Sequence, residues 1–154
     1  METLISGTIS EPITDDYGRV FGSERIFPDN SFVREKKTVI EPGTEINKNI
    51  VFEKSVEIGH DCIFRGAVKS YGNLNIMENV TIYGNVFADG DIKLGKGTIV
   101  LGNIFSQGSI SLASGVKISR PNIIKSIIGK KEVTMEQDVI IYGYVSTEGV
   151  GMTI

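Results

Sequence analysis

Two side chains in this 154-residue chain stand out as equipped for chemistry, and they lie together. The single histidine, His60, sits two residues before the single cysteine, Cys62, in "IGHDCI". A histidine can serve as general base near neutral pH, and a thiolate can attack a carbonyl or hold a metal. One histidine and one cysteine are too few for a Cys/His zinc site, and a lone cysteine has no internal disulfide partner. The acidic pairs Asp15-Asp16 and Asp89…Asp91 could ligate a cation or share a proton, yet acids so spaced are ordinary in solvated turns. "GKG", residues 95–97, lacks the following helix that a phosphate loop needs. No nucleophile, base and orienting group can be assembled, so the expectation is no catalysis, no cofactor and no metal. His60 then reads as a solvated corner residue and Cys62 as a small core side chain.

What places these residues is a repeat. "VTIYGNVFADGDIKLGKG", residues 80–97, is followed directly by "TIVLGNIFSQGSISLASG", residues 98–115, an 18-residue copy. Going backward, residues 62–79 put Gly66 in line with Gly84 and Gly102, and residues 44–61 keep Ile46, Ile50, Val56 and Ile58 in frame. Residues 26–43 fit loosely. Going forward, Val116 and Ile118 are in phase, and the frame then resumes five residues late at Ile127, continuing through Val133, Met135, Val139, Ile141 and Gly143. The extra residues fall within 119–126, "SRPNIIKS", and are expected to bulge as one loop.

Each 18 divides by six. Val80, Val86, Ile92, Thr98, Ile104 and Ile110 are six apart, and Ile82, Leu94, Val100 and Leu112 follow two residues behind their neighbours. Aliphatics at i and i+2 point to one side of a strand. The Gly-Asn, Gly-Asp, Lys-Gly and Ser-Gly pairs that follow are turn chemistry. Three short strands and three corners per 18 residues predict an all-β fold, a single-stranded, triangular parallel β-helix. Ile46, Phe64, Ile82, Val100 and Ile118 form one inward column, each burial contributing roughly 1.5–3 kcal/mol. Six coils and most of a seventh fit within residues 26–154, with "REKK", residues 34–37, as a charged corner of the first. Residues 1–25 are polar and off-period, and are expected to cap the stack, fold over it or form a tail.

Composition sets the surroundings. Hydrophobic residues make up 40% and charged residues 23%, which suits a soluble globular domain. A net charge of −3 argues against nucleic acid as a partner. No apolar run reaches transmembrane length and residues 1–7 lack signal-peptide character, so the expected location is the cytoplasm.

Two features point to contacts. The repeat continues through "VIIYGYVSTEGVGMTI", residues 139–154, so the carboxyl end is expected to be adhesive, with Val145, Val150, Met152 and Ile154 at a polymerisation contact. Ile26 and Phe32 would form the opposite, amino-terminal junction. Outward positions are also apolar: Ile63, Ile99 and Ile140 in one column, Tyr83, Leu101 and Tyr142 in the next, Phe87, Phe105 and Ile128 in a third. Such a strip marks a lateral contact or the resting place of the chain's own Leu4, Ile5, Ile9, Ile13, Val20 and Phe21. Membrane contact through it would be unaided by any basic cluster.

"GNVFADGDIKLGKGTIVLGNIFSQGSISL", residues 84–112, resembles the bactofilins, polymer-forming β-helical proteins of the prokaryotic cytoskeleton. The similarity spans about residues 44–149. It implies a right-handed coil, in agreement with the crossover rule. It also implies a subunit that assembles end to end, by like-end contacts with itself, into nucleotide-independent filaments. Such a scaffold would be cytoplasmic or at the membrane periphery, with other cytoskeletal or membrane-associated proteins as further partners. The corners "IGHDCI", "LGKGTI" and "LASGVK" are similar instead to hexapeptide acyltransferases, left-handed β-helices in which His60 would be the general base. The γ-class carbonic anhydrases need three zinc-binding histidines, which the chain lacks. A non-polymerising β-helix binding module is the third reading.

Overall fold

The computed structural model describes residues 31–34 and 37–153, and side chains over 38–149. Strands and corners account for all of it; no described residue is helical. Three parallel sheets form three faces. The first face holds β2 (Lys37–Ile40), β5 (Val56–Ile58), β8 (Leu74–Ile76), β11 (Ile92–Leu94), β14 (Ser109–Leu112), β17 (Glu132–Met135) and β20 (Val150–Thr153). The second holds β3 (Glu45–Ile46), β6 (Ile63–Phe64), β9 (Thr81–Ile82), β12 (Ile99–Val100), β15 (Lys117–Ile118) and β18 (Ile140–Ile141). On the third lie β4 (Ile50–Phe52), β7 (Val68–Ser70), β10 (Val86–Ala88), β13 (Ile104–Ser106), β16 (Lys125–Gly129) and β19 (Gly143–Thr147). The chain visits the faces in that order once per turn, making a β-solenoid of about six turns.

Register reproduces the 18-residue ruler. Val100 stands opposite Ile82, and Val86 opposite Val68. Across the predicted insertion the step becomes 23, with Ile127 opposite Ile104 and Ile141 opposite Ile118. One coil later it returns to 18, Val145 standing opposite Ile127. The five added residues therefore leave the ladder between β15 and β16 and rejoin it in phase.

The amino-terminal strand departs from the parallel pattern. β1 (Ser31–Arg34) runs antiparallel to β2, with Arg34 opposite Lys37. Only two residues separate them in sequence, too few for the crossover a parallel pair requires. Ser31–Arg34, expected within a loose first coil, thus lies antiparallel along the edge of the first face; of "REKK", Arg34 and Lys37 face each other at the ends of β1 and β2, and residues 35 and 36 lie outside the described residues. Ile26, the segment 1–25 and Ile154 lie outside the described residues.

The core is a set of like-on-like columns. Ile46, Phe64, Ile82, Val100 and Ile118 are each 0% exposed, as expected of the inward column. Cys62 is buried beside them.

Each corner has its own device. After the first face every coil passes through the left-handed region: Gly43, Asp61, Asn79, Gly97, Gly115 and Asp138 have φ of 77°, 62°, 57°, 72°, 77° and 61°. Glycine, asparagine and aspartate are the residues that tolerate this conformation. At the second corner a Cβ on Gly84 would meet the Ala67 nitrogen at 2.6 Å, so the coils approach too closely for a side chain. Beside it runs an asparagine ladder: Asn49 Oδ1 accepts from the Ala67 N–H, Asn85 Oδ1 from the Asn103 N–H, and Asn103 Oδ1 from the Ser126 N–H, each at 2.8 Å. At the third corner Asn73 Oδ1 accepts from the Asp91 N–H and Asp91 Oδ1 from the Ser109 N–H, also at 2.8 Å. These bonds satisfy backbone donors that the turns remove from the sheets.

Candidate functional site

The two reactive side chains are separated by the corner that carries them. His60 Nδ1 lies 2.7 Å from Asp61 Oδ2, and both side chains are 59% exposed. Cys62 is inward-facing, its Sγ donating to the Glu41 carbonyl at 3.3 Å. Burial pushes the thiol up to about 11, outweighing the hydrogen bonds from residues 43 and 44 that favour the thiolate. At neutral pH it is a neutral packing group. Asp91, half of the second acidic pair, is engaged in the corner ladder. Among the described residues no three His, Cys, Asp or Glu side chains gather to hold a metal ion, and no helix is long and apolar enough to cross a membrane.

The feature with most potential for contact is the end of the stack formed by the sixth coil. Among the described residues β18, β19 and β20 each pair on one side only. Inward columns that are sealed along the rod emerge here. Ile50, Val68, Val86, Ile104 and Ile127 are 0–2% exposed, whereas Val145, next in that column, is 42% exposed. Met135, Val139 and Ile141 are likewise only partly buried, although Leu112, Val116 and Ile118 one coil earlier are at 0–1%. Tyr144, beside Val145, is 64% exposed. The result is an apolar cross-section framed by open strand edges, the arrangement that strand addition uses.

The predicted end residues fall as follows. Val145 belongs to this cross-section. Val150 and Met152 lie in β20, paired in register with Glu132 and Thr134. Gly151 and Thr153 occupy the register of the core residues Val133 and Met135. Phe32 lies in β1 opposite Val39, at the other end of the stack.

The outward apolar residues do not share one face. Ile99 and Ile140 are on the second face, Tyr83, Leu101 and Tyr142 on the corner beyond it, and Phe87, Phe105 and Ile128 on the third. Tyr83 is about half exposed, while Phe87, Ile99, Leu101, Phe105 and Tyr142 are partly covered. Some of that cover comes from within the ladder. The Phe87 and Phe105 rings stack at 5.2 Å with an 8° tilt, and Lys69 Nζ lies 4.8 Å from the Phe87 ring and 4.7 Å from that of Tyr71. The inserted loop adds Ile123 and Ile124 to the corner, both exposed, which column counting could not place.

Compared with protein-family models, curated proteins and solved structures, the chain gives no significant match.

Proposed function

We propose that this chain is a self-assembling structural protein. Its coils join end to end into nucleotide-independent filaments that act as a scaffold of the bactofilin kind. The observation that carries the reading is the emergence of sealed core columns at the sixth coil, above all Val145 at 42% exposure against Ile127 at 0%. A repeat that buries each coil against the next leaves a last coil chemically equivalent to an internal one. Another copy's coil is therefore a well-matched cover. A contact between two such ends is isologous, related by a two-fold axis. Val145, Val150, Met152 and Ile154 would lie at or beside it, and a second junction near Ile26 and Phe32 would continue the filament. His60, exposed on a corner, has no role in this reading, and neither do metals or nucleotides.

Sedimentation velocity and negative-stain microscopy test it. The parent is expected to form concentration-dependent assemblies without added nucleotide. Val145→Glu would bury an unpaired charge at a cost of about 3–5 kcal/mol per contact and disperse them. Met152→Lys and Ile154→Asp are expected to act in the same direction. A parent that stays monomeric at high concentration and low salt overturns the reading.

A further inference from the structure

The linear sequence shows no basic cluster, but the fold makes one. The second corner is built from residues 47–49, 65–67, 83–85, 101–103, 119–124 and 142, one segment per coil, and the first two residues of β16 and of β19, Lys125, Ser126, Gly143 and Tyr144, continue it at the edge of the third face. Its charged residues are Lys48, Arg65, Arg120 and Lys125; it holds no aspartate or glutamate. The first corner carries Glu41, Asp61, Glu78, Glu136 and Asp138 against Lys96 alone. At the third corner four acids, Glu53, Asp89, Asp91 and Glu148, face three lysines. A chain of net charge −3 thus presents one cationic ridge, one acidic ridge and one that is nearly balanced.

The same ridge carries exposed apolar side chains. Tyr83 is 49%, Ile123 43%, Ile124 63% and Tyr144 64% exposed. Ile123 and Ile124 stand on the inserted loop, which is pinned rather than slack. Ser119 Oγ donates to the Ile123 carbonyl at 2.5 Å, and the Ile123 N–H donates to the Arg120 carbonyl at 3.1 Å. Ser119 and Asn122 take left-handed φ of 69° and 68° to close it. Two aliphatics are therefore held outward between Arg120 and Lys125.

We propose that this ridge docks the protein on an anionic lipid surface. Tyrosines and aliphatics flanked by lysine and arginine suit the headgroup boundary, where rings and alkyl tips enter while cations meet lipid phosphates. Each cation near such a surface raises affinity roughly five-fold. Single-stranded nucleic acid fits less well, because its bases need successive aromatic platforms and the two exposed tyrosines of the ridge stand on separate coils with the loop isoleucines between them. Arg65 is shared with Glu45 on the second face, 3.1 Å away, so Arg120 and Lys125 are the cations to test. Every copy carries the ridge, and the proposal stands whether or not the ends polymerise.

The test is co-sedimentation of the full chain with vesicles of phosphatidylglycerol mixed with phosphatidylcholine, and with phosphatidylcholine alone. It is run in the Val145→Glu background as well as in the parent, so that assembly does not set the result. Binding is expected on the anionic vesicles only and is expected to fall steeply with salt. The Arg120→Glu/Lys125→Glu pair should weaken it by at least about ten-fold. Ile124→Ser should weaken it less, and Lys93→Glu on the first face not at all, with circular dichroism confirming the fold of each. Failure of the parent to bind, equal binding by the double variant, or binding of a single-stranded oligonucleotide in place of vesicles each overturns the proposal.

Discussion

The two ends of the stack are built from the same columns and differ in how far those columns are sealed. In the first coil Ile40, Ile46, Ile50 and Phe52 are 0–2% exposed, and even the outward Val39 and Val51 are at 9% and 8%. In the sixth coil Met135, Val139 and Ile141 are partly buried and Val145 stands 42% exposed. Nothing in side-chain type explains the difference, since valine and isoleucine fill both ends. Strand pairing does not explain it either: β1 flanks β2 at one end as β20 flanks β17 at the other, and among the described residues β3, β4, β18 and β19 each pair on one side only. In a solenoid each coil's stability comes from its neighbours, so position along the rod decides what an identical residue contributes.

Paired truncations offer the sharpest way to break this comparison. Ile50→Ala should cost about 2–5 kcal/mol in urea denaturation of the dilute protein, as expected for a sealed core position. Val145→Ala, in the same column, should cost less than about 1 kcal/mol, because little of its contact is formed without a partner. Equal losses would mean that the sixth coil is as well covered as the first.

Thiol chemistry sharpens it further. Cys62 and Val139 occupy equivalent positions of the corner column, one sealed and one partly open. In the folded protein Cys62 should resist an aromatic disulfide reagent at neutral pH. Val139→Cys, made in a Cys62→Val background, should react readily and become protected on self-association. The buried thiol also links stability to pH. Its pKa is raised from 9.0 to about 11, so the unfolded chain releases that proton first. This contribution is fully present below pH 9.0 and is lost as pH climbs to about 11, by up to about 2–3 kcal/mol. Cys62→Val should lose that component of the slope, measured as the difference from the parent.

The smallest effect is expected in hydrogen exchange. The Arg65 and Tyr142 amides make equivalent bonds, to the Ile46 carbonyl at 2.9 Å and the Ile118 carbonyl at 3.0 Å. Tyr142 should nevertheless exchange faster, because the open coil can separate locally from the stack. Equal protection would argue against fraying.

Much of this was legible in the residues. The alternation of Val80, Ile82, Val86 and Ala88 sets the strand faces. The return of the pattern at Ile127 located an insertion whose length the register confirms. The first corner could be read as well, because only glycine, asparagine and aspartate stand where φ is positive. Two things were hidden for different reasons. Period-two alternation has no direction, so Ser31–Arg34 could not be told from a parallel coil without the short link to Lys37. The cationic ridge was present in the sequence but dispersed: Lys48, Arg65, Arg120 and Lys125 come from separate turns of the chain and fall on one corner only once the coils are stacked. The outer apolar columns were placed in register, but counting could not show that they bend around a corner instead of lying on one face.

The inserted loop has a consequence for how such a rod can change. Ile127–Gly129 rejoin the ladder residue for residue after the excursion, and the core column passes from Ile104 to Ile127 without a gap. Length can therefore be added at a corner without disturbing the sheets on either side. Each coil advances the rod by about 4.8 Å, so the corners form a graduated set of attachment points at fixed spacing. Display of a peptide at residues 120–124 would place it at a known height, and duplication of one 18-residue coil would move it by one gradation. A fold of this kind works as a measuring rule onto which new surfaces can be grafted singly, while the interior stays the same.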